Sequence, residues 1–190
     1  MKSKNLFYLF AVAAFCVVMV GCEKPKLPDK PKLSEYQEIL FKVEYVNAFL
    51  VPRRSALFID KNGNIKTYSY VDYSNQNTEG WNFPDREGFI SEEKMNENLE
   101  KTELSDKKID LETLQKYATK ILYVKYDDYT ERHEGYDMGI GTNSCYLFDE
   151  DTKMYREIIL SQYGSWTKTN NHSVAKEIDS WLKTISYMIY

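Results

Sequence analysis

The feature that most limits the fold is an uncharged run from Leu6 to Gly21 that stops at Cys22 and gives way at once to lysines and prolines. As a helix the run would reach about 24 Å, short of the roughly 30 Å of a bilayer core. Lys2 and Lys4 in front of it and small residues at its end have the layout of a secretory leader. Behind it, Pro25, Pro28 and Pro31 recur at a three-residue spacing, with Lys24, Lys26, Lys30 and Lys32 between them. That is the polyproline period, and such segments act as semi-rigid spacers. The chain therefore divides into a leader over 1–21, a tether over 22–34 and a single globular domain over 35–190.

Met19-Val20-Gly21-Cys22 resembles the lipobox of bacterial lipoproteins, with Met where Leu is usual. The resemblance implies cleavage before Cys22, a diacylglycerol on its thiol and a third, palmitate-type chain on the new amino end. One acyl chain anchors only marginally and two or more hold stably. An ordinary cleaved leader with an incidental cysteine is the alternative. Together with 16 tyrosines and many lysines and asparagines, the lipobox makes the chain resemble small lipoproteins of Bacteroidota. That implies a bacterial cell envelope address, lipid-anchored and either periplasm-facing or at the cell surface. The tether is cationic rather than acidic after the cysteine, which leans toward the periplasm-facing leaflet.

Removing the leader leaves 169 residues and takes away two of the 25 cations, so the net charge moves from −4 to −6. An acidic domain lacks the clustered basic surface that nucleic acid requires. Its length suffices for a sizeable core without disulfide staples. Cys16 lies in the leader and Cys22 at the anchor, so Cys145 is left with no intrachain partner.

Alternation then predicts a strand in which Ile39, Phe41, Val43 and Tyr45 face the core while Lys42 and Glu44 point away. Residues 56–59 and 65–71 flank Asp60-Lys61-Asn62-Gly63-Asn64, a hairpin whose Asn-Gly step tolerates positive φ. Residues 72–90 read as a long loop. Ser91-Glu92-Glu93 opens a short helix with Met95 and Leu99 inward, and Asp110 caps a second with Leu111, Leu114, Tyr117, Ala118, Ile121 and Leu122 at helical spacing. A second hairpin is expected across Asp149-Glu150-Asp151-Thr152-Lys153. Val174, Ile178, Trp181, Leu182 and Ile185 define a last helix. The fold class is α+β: an antiparallel sheet built from hairpins, with two or three helices packed on one face.

Candidate chemistry is sparse. No catalytic signature is present, and no catalytic residue, metal or cofactor is expected. Cys145 would need His133 or His172 as its base, but it sits in an apolar strand pattern where a buried thiol is inert. Asp60, Asn62 and Asn64 have a calcium-loop beginning, yet Ile65 and Val71 stand where Gly and Glu would be required. Asp127, Asp128, Glu131, His133, Glu134 and Asp137 crowd together without the spacing of a metal loop. Trp81, Phe83, Tyr70 and Tyr73 surround the long loop as candidate partner-binding residues; the plainer expectation is that Trp81 and Phe83 pin it to the core. These features predict a membrane-anchored, non-enzymatic binding module for a protein or glycan partner. A glycan- or peptidoglycan-acting hydrolase and an inhibitor or immunity-type lipoprotein are the alternatives.

Overall fold

The computed structural model describes residues 32–47, 51–73, 80–135 and 139–189, without the side chains of 187–189. The leader, Cys22 and the tether through residue 31 lie outside the described residues. Among the described residues there are nine strands and three helices. The strands are β1 (Ile39–Asn47), β2 (Arg53–Asp60), β3 (Asn64–Val71), β4 (Phe89–Ser91), β5 (Glu103–Lys108), β6 (His133–Glu134), β7 (Ile140–Asp149), β8 (Met154–Gly164) and β9 (Trp166–Thr169). The helices are α1 (Glu92–Leu99), α2 (Leu111–Ile121) and α3 (Ser173–Ile189). No helix among the described residues is long and apolar enough to cross a membrane.

The strands form one open antiparallel sheet in the order β5-β3-β2-β1-β7-β8-β9-β6, with β4 added on β8. The sheet grows from its hairpins. Asp60 accepts from the backbone nitrogens of Asn62 and Asn64 with one carboxylate oxygen, both at 2.9 Å. This fixes the turn that lets Ile59 pair with Ile65. Only Gly63 of the Asn-Gly pair takes positive φ, at 80°. The connection is thus a three-residue turn closed by a left-handed glycine, not one with both residues left-handed. In the β7–β8 hairpin Asp149 plays the same part, accepting from Asp151 N at 3.0 Å and Thr152 N at 2.9 Å.

Side chains of successive strand residues point to opposite faces. In β2 this sends Leu57 and Ile59 into one core cluster and Ala56 and Phe58 into another. The first cluster takes Leu114, Ala118 and Ile121 from α2 and Ala175, Ile178, Leu182 and Ile185 from α3. The second takes Met95 from α1, together with Trp81, Ile90, Tyr146, Phe148 and Tyr155. Leu33 packs against the first cluster, and Ser34 donates to Glu150 at 2.6 Å, so the last residues assigned to the tether touch the domain.

Sequence periodicity did not foretell β4, β5, β6 and β9. In β5, Glu-Leu-Ser-Asp-Lys-Lys shows no alternation, and Leu104 is exposed. That strand exists through backbone pairing with β3 at the sheet edge, where charged side chains also discourage pairing with another chain.

Trp181 ties the first cluster together. It stacks on Tyr117 of α2 with ring centres 4.2 Å apart and meets the edge of Phe41 of β1 at 5.0 Å. Trp181→Ala is expected to cost about 3–5 kcal/mol. Chemical denaturation checks this; a loss below about 1 kcal/mol would remove Trp181 from the core account.

Candidate functional site

The second face of the sheet carries a row of charge where a core would normally be apolar. Lys42 is 4 % exposed and Arg54 5 % exposed. Register brings them together: Lys42 pairs with Phe58 on β2 and with Ser144 on β7, while Arg54 lies two positions before Ala56, the β2 partner of Glu44. The Lys42 ammonium lies 3.0 Å from Glu44 Oε2 and 2.8 Å from Glu157 Oε1. Ser144 donates to that same Glu157 oxygen at 2.6 Å. Arg54 pairs with the other oxygen of Glu44. Two cations and two carboxylates thus alternate across β8, β1 and β2.

Burial works to discharge Lys42, but the carboxylates of Glu157 and Glu44 outweigh it and hold the amine well above its ordinary range. Burial likewise works to protonate Glu44, and Lys42 and Arg54 outweigh it, holding the carboxyl below its ordinary range. A general acid or base works best with a pKa near the operating pH. Lys42 and Glu44 are driven the other way, so both stay charged. The chemistry of this row is electrostatic bracing of the sheet, and breaking one partner of such a pair costs about 3–5 kcal/mol.

Depression of Glu44 contributes stability that is full above the unfolded carboxyl value of about 4.3 and is lost as pH falls through the folded value. The raised Lys42 contributes stability that is full below about 10.4 and is lost as pH rises through its folded value. Melting temperature should therefore be level through neutral pH and drop below about pH 4.3. A Glu44→Gln variant should melt earlier at neutral pH and lose less on acidification. An acid limb as steep as in the parent would contradict the assignment.

Aromatic groups close over Arg54. Its guanidinium carbon lies 4.5 Å from the Phe83 ring centre and 5.4 Å from that of Trp81. Tyr68 stacks on Trp81 at 4.4 Å, and Phe58 approaches it at 6.1 Å. Tyr70 is the direct cross-strand partner of Arg54. Buried Asn98 of α1 holds the loop as a strand would: it accepts from Asn82 N at 2.9 Å and donates to Asn82 O at 2.8 Å. Either side of that clamp, Trp81 points inward and is 9 % exposed, whereas Phe83 is 59 % exposed. The structure thus brings Trp81, Phe83 and Tyr70 together around Arg54. Trp81 sits in the core cluster, and only Phe83 of that loop pair offers an open ring. Tyr73 is 87 % exposed, and no contact joins it to the cluster among the described residues.

Of the remaining candidates, Asp60, Cys145 and Asp128 have structural roles. Asp60 spends both oxygens on its own turn, the second accepting from the Asn64 side chain at 2.9 Å. Cys145 is fully buried, and burial pushes its thiol far up, away from the reactive thiolate. His133 is exposed on β6, while His172 precedes α3 and gives its backbone N–H to Asn170 at 2.9 Å. Asp128 anchors the charged loop by accepting from Asn171 at 3.2 Å, and Asp137 lies outside the described residues. Among the described residues no three His, Cys, Asp or Glu side chains gather closely enough to hold a metal ion.

Comparison with protein-family models, curated proteins and solved structures returned no match.

Sequence reading missed Lys42, Glu44, Arg54, Glu157 and Asn98. Period-two alternation places Lys42 and Glu44 opposite the core, and they are opposite the helical cluster, but a second cover closes on that side too. The available signal was a cation and an acid two apart on one strand face, with spare partners in β2 and β8 that only register could bring near.

Proposed function

We propose that this chain is a membrane-anchored envelope lipoprotein whose domain is a non-enzymatic module that binds a protein partner. Its leader over 1–21 is removed, lipid on Cys22 holds it to the membrane, and the Pro/Lys tether over 22–34 spaces the domain over 35–190 away from the surface. In that domain the long helices cover one sheet face, and the Trp81 loop covers part of the other. Support for the anchor comes from the Gly21-Cys22 junction at the end of the apolar run.

One observation carries the binding role: Phe83 is presented to solvent on top of Arg54, which Trp81 and Glu44 hold in place. Aromatic and arginine side chains dominate the energetic centres of protein interfaces. A ring fixed over a buried cation loses little conformational freedom on docking, so more of its contact energy appears as affinity. The carboxylates of the charged row, Glu44 and Glu157, are committed to Lys42 and Arg54, which argues for the binding reading over the hydrolase one.

Phe83→Ala is expected to lower the melting temperature by no more than about 4 °C, since a cation–π contact at an exposed site is worth about 0.5–1 kcal/mol. It should reduce capture of the envelope partner in a pull-down at least about fivefold. Unchanged capture would remove Phe83 from the contact. For the anchor, Cys22→Ser should shift the protein from the membrane to the soluble fraction. Retention of that variant in membranes would contradict lipidation at Cys22.

A further inference from the structure

At the β8–β9 end of the sheet a groove of about 480 Å³ opens on the side covered by α3. Ser161 and Tyr163 of β8, Thr167 and Thr169 of β9, and Lys183 and Ser186 of α3 line it. Its volume falls in the range of about 300–1,000 Å³ usual for small-molecule sites. These residues are separate from the Phe83 surface.

A glycine shapes the floor. Gly141 of β7 pairs with Tyr45 of β1 on one side and with Tyr163 on the other. A Cβ at Gly141 would come within 2.2 Å of Tyr163 Cε2 and Cζ and 2.6 Å of its oxygen. The ring therefore lies across bare backbone, which any other residue would block. It remains 41 % exposed. The product is an aromatic surface laid along the sheet, flanked one row on by Tyr45.

The walls are rich in hydroxyls. Ser and Thr both donate and accept, which matches the hydroxyls of a sugar, each of which does the same. An aromatic face carries partial negative charge and favours the C–H face of a pyranose ring. Charge in the groove is matched internally. Lys183 lies 2.7 Å from Asp179 Oδ2, and the other oxygen of that buried carboxylate accepts from Asn143 at 2.7 Å and from Ser161. With its cation already paired, the groove is suited to hydrogen bonding and stacking and not to recognition of net charge.

We infer that this groove binds a neutral saccharide, with a pyranose ring stacked on Tyr163 and its hydroxyls engaged by the Thr167 and Thr169 side chains of β9, the hydroxyls of Ser161 and Ser186 already donating within the protein. The inference does not depend on the Phe83 surface, so either can fail alone. Isothermal titration calorimetry of the full chain tests it, using neutral oligosaccharides of glucose, mannose, galactose and N-acetylglucosamine, with heparin as the charged control. At least one neutral oligosaccharide should bind. Tyr163→Ala and Gly141→Ala should each weaken that binding by about fivefold or more, while Tyr163→Phe and Phe83→Ala leave it unchanged. Thr167→Val, near-isosteric and at the groove wall, should weaken it without lowering the melting temperature, which covers the case in which a floor variant does not fold. Absence of binding to every neutral oligosaccharide at millimolar concentration, binding of heparin alone, or affinity indifferent to both Tyr163→Ala and Thr167→Val would overturn the site.

Discussion

Lys42 stands between two carboxylates in the middle of the sheet, and the second face is organised around that contact. A lone buried ammonium would be intolerable there. Glu157 from β8 and Glu44 from its own strand make it acceptable, and Arg54 from β2 neutralises what remains of Glu44. Because the four charges come from three strands, the row also specifies register. A one-residue slip of β1 would turn Lys42 and Glu44 into the helical cluster, taking the Lys42 ammonium from Glu157 and the Glu44 carboxylate from Arg54. A buried ionic row is a weak source of net stability but a severe penalty on wrong pairings.

That row explains how the aromatic loop is arranged. Arg54 forms the end of the row toward β3, and Trp81 and Phe83 meet there. One ring is drawn into the apolar cluster with Phe58 and Tyr68, and the other is left at the surface. The Asn98 amide, bonded in both directions to the backbone of Asn82, sets which is which. At the far side of the domain Asp179 gives similar order on a smaller scale, gathering Lys183, Asn143 and Ser161 beside the Tyr163 groove. Both surfaces assigned a binding role therefore border a satisfied charged group. Such preorganisation favours binding, since a fixed surface loses less entropy on docking.

Much of the framework could be read from local pattern. The stripes of α2 and α3, the caps at Ser91 and Asp110 and the two Asp-opened hairpins are short-range features, and the structure has them, except that Leu111 in the first turn of α2 is left exposed. Edge elements were illegible because β4, β5, β6 and β9 owe their extended form to a neighbour's backbone and not to their own side chains. The charged row was illegible for a related reason. Alternation shows that Lys42 faces away from Phe41 but does not say what lies on that side, and its partner Glu157 is more than a hundred residues distant. Likewise the pattern around Trp81 and Phe83 left open which ring turned inward, because the deciding clamp comes from Asn98 on α1.

The most direct test of this account is a double-mutant cycle between Lys42 and Glu157, read by denaturant unfolding of Lys42→Met, Glu157→Gln and the pair. If the row braces the sheet, the two changes will be strongly non-additive, with a coupling in the upper part of the range of about 0.5–3 kcal/mol seen for residues in contact. Additivity within about 0.5 kcal/mol would show that Lys42 and Glu157 do not hold one another, and would contradict the electrostatic frame on which the proposed Phe83 surface rests.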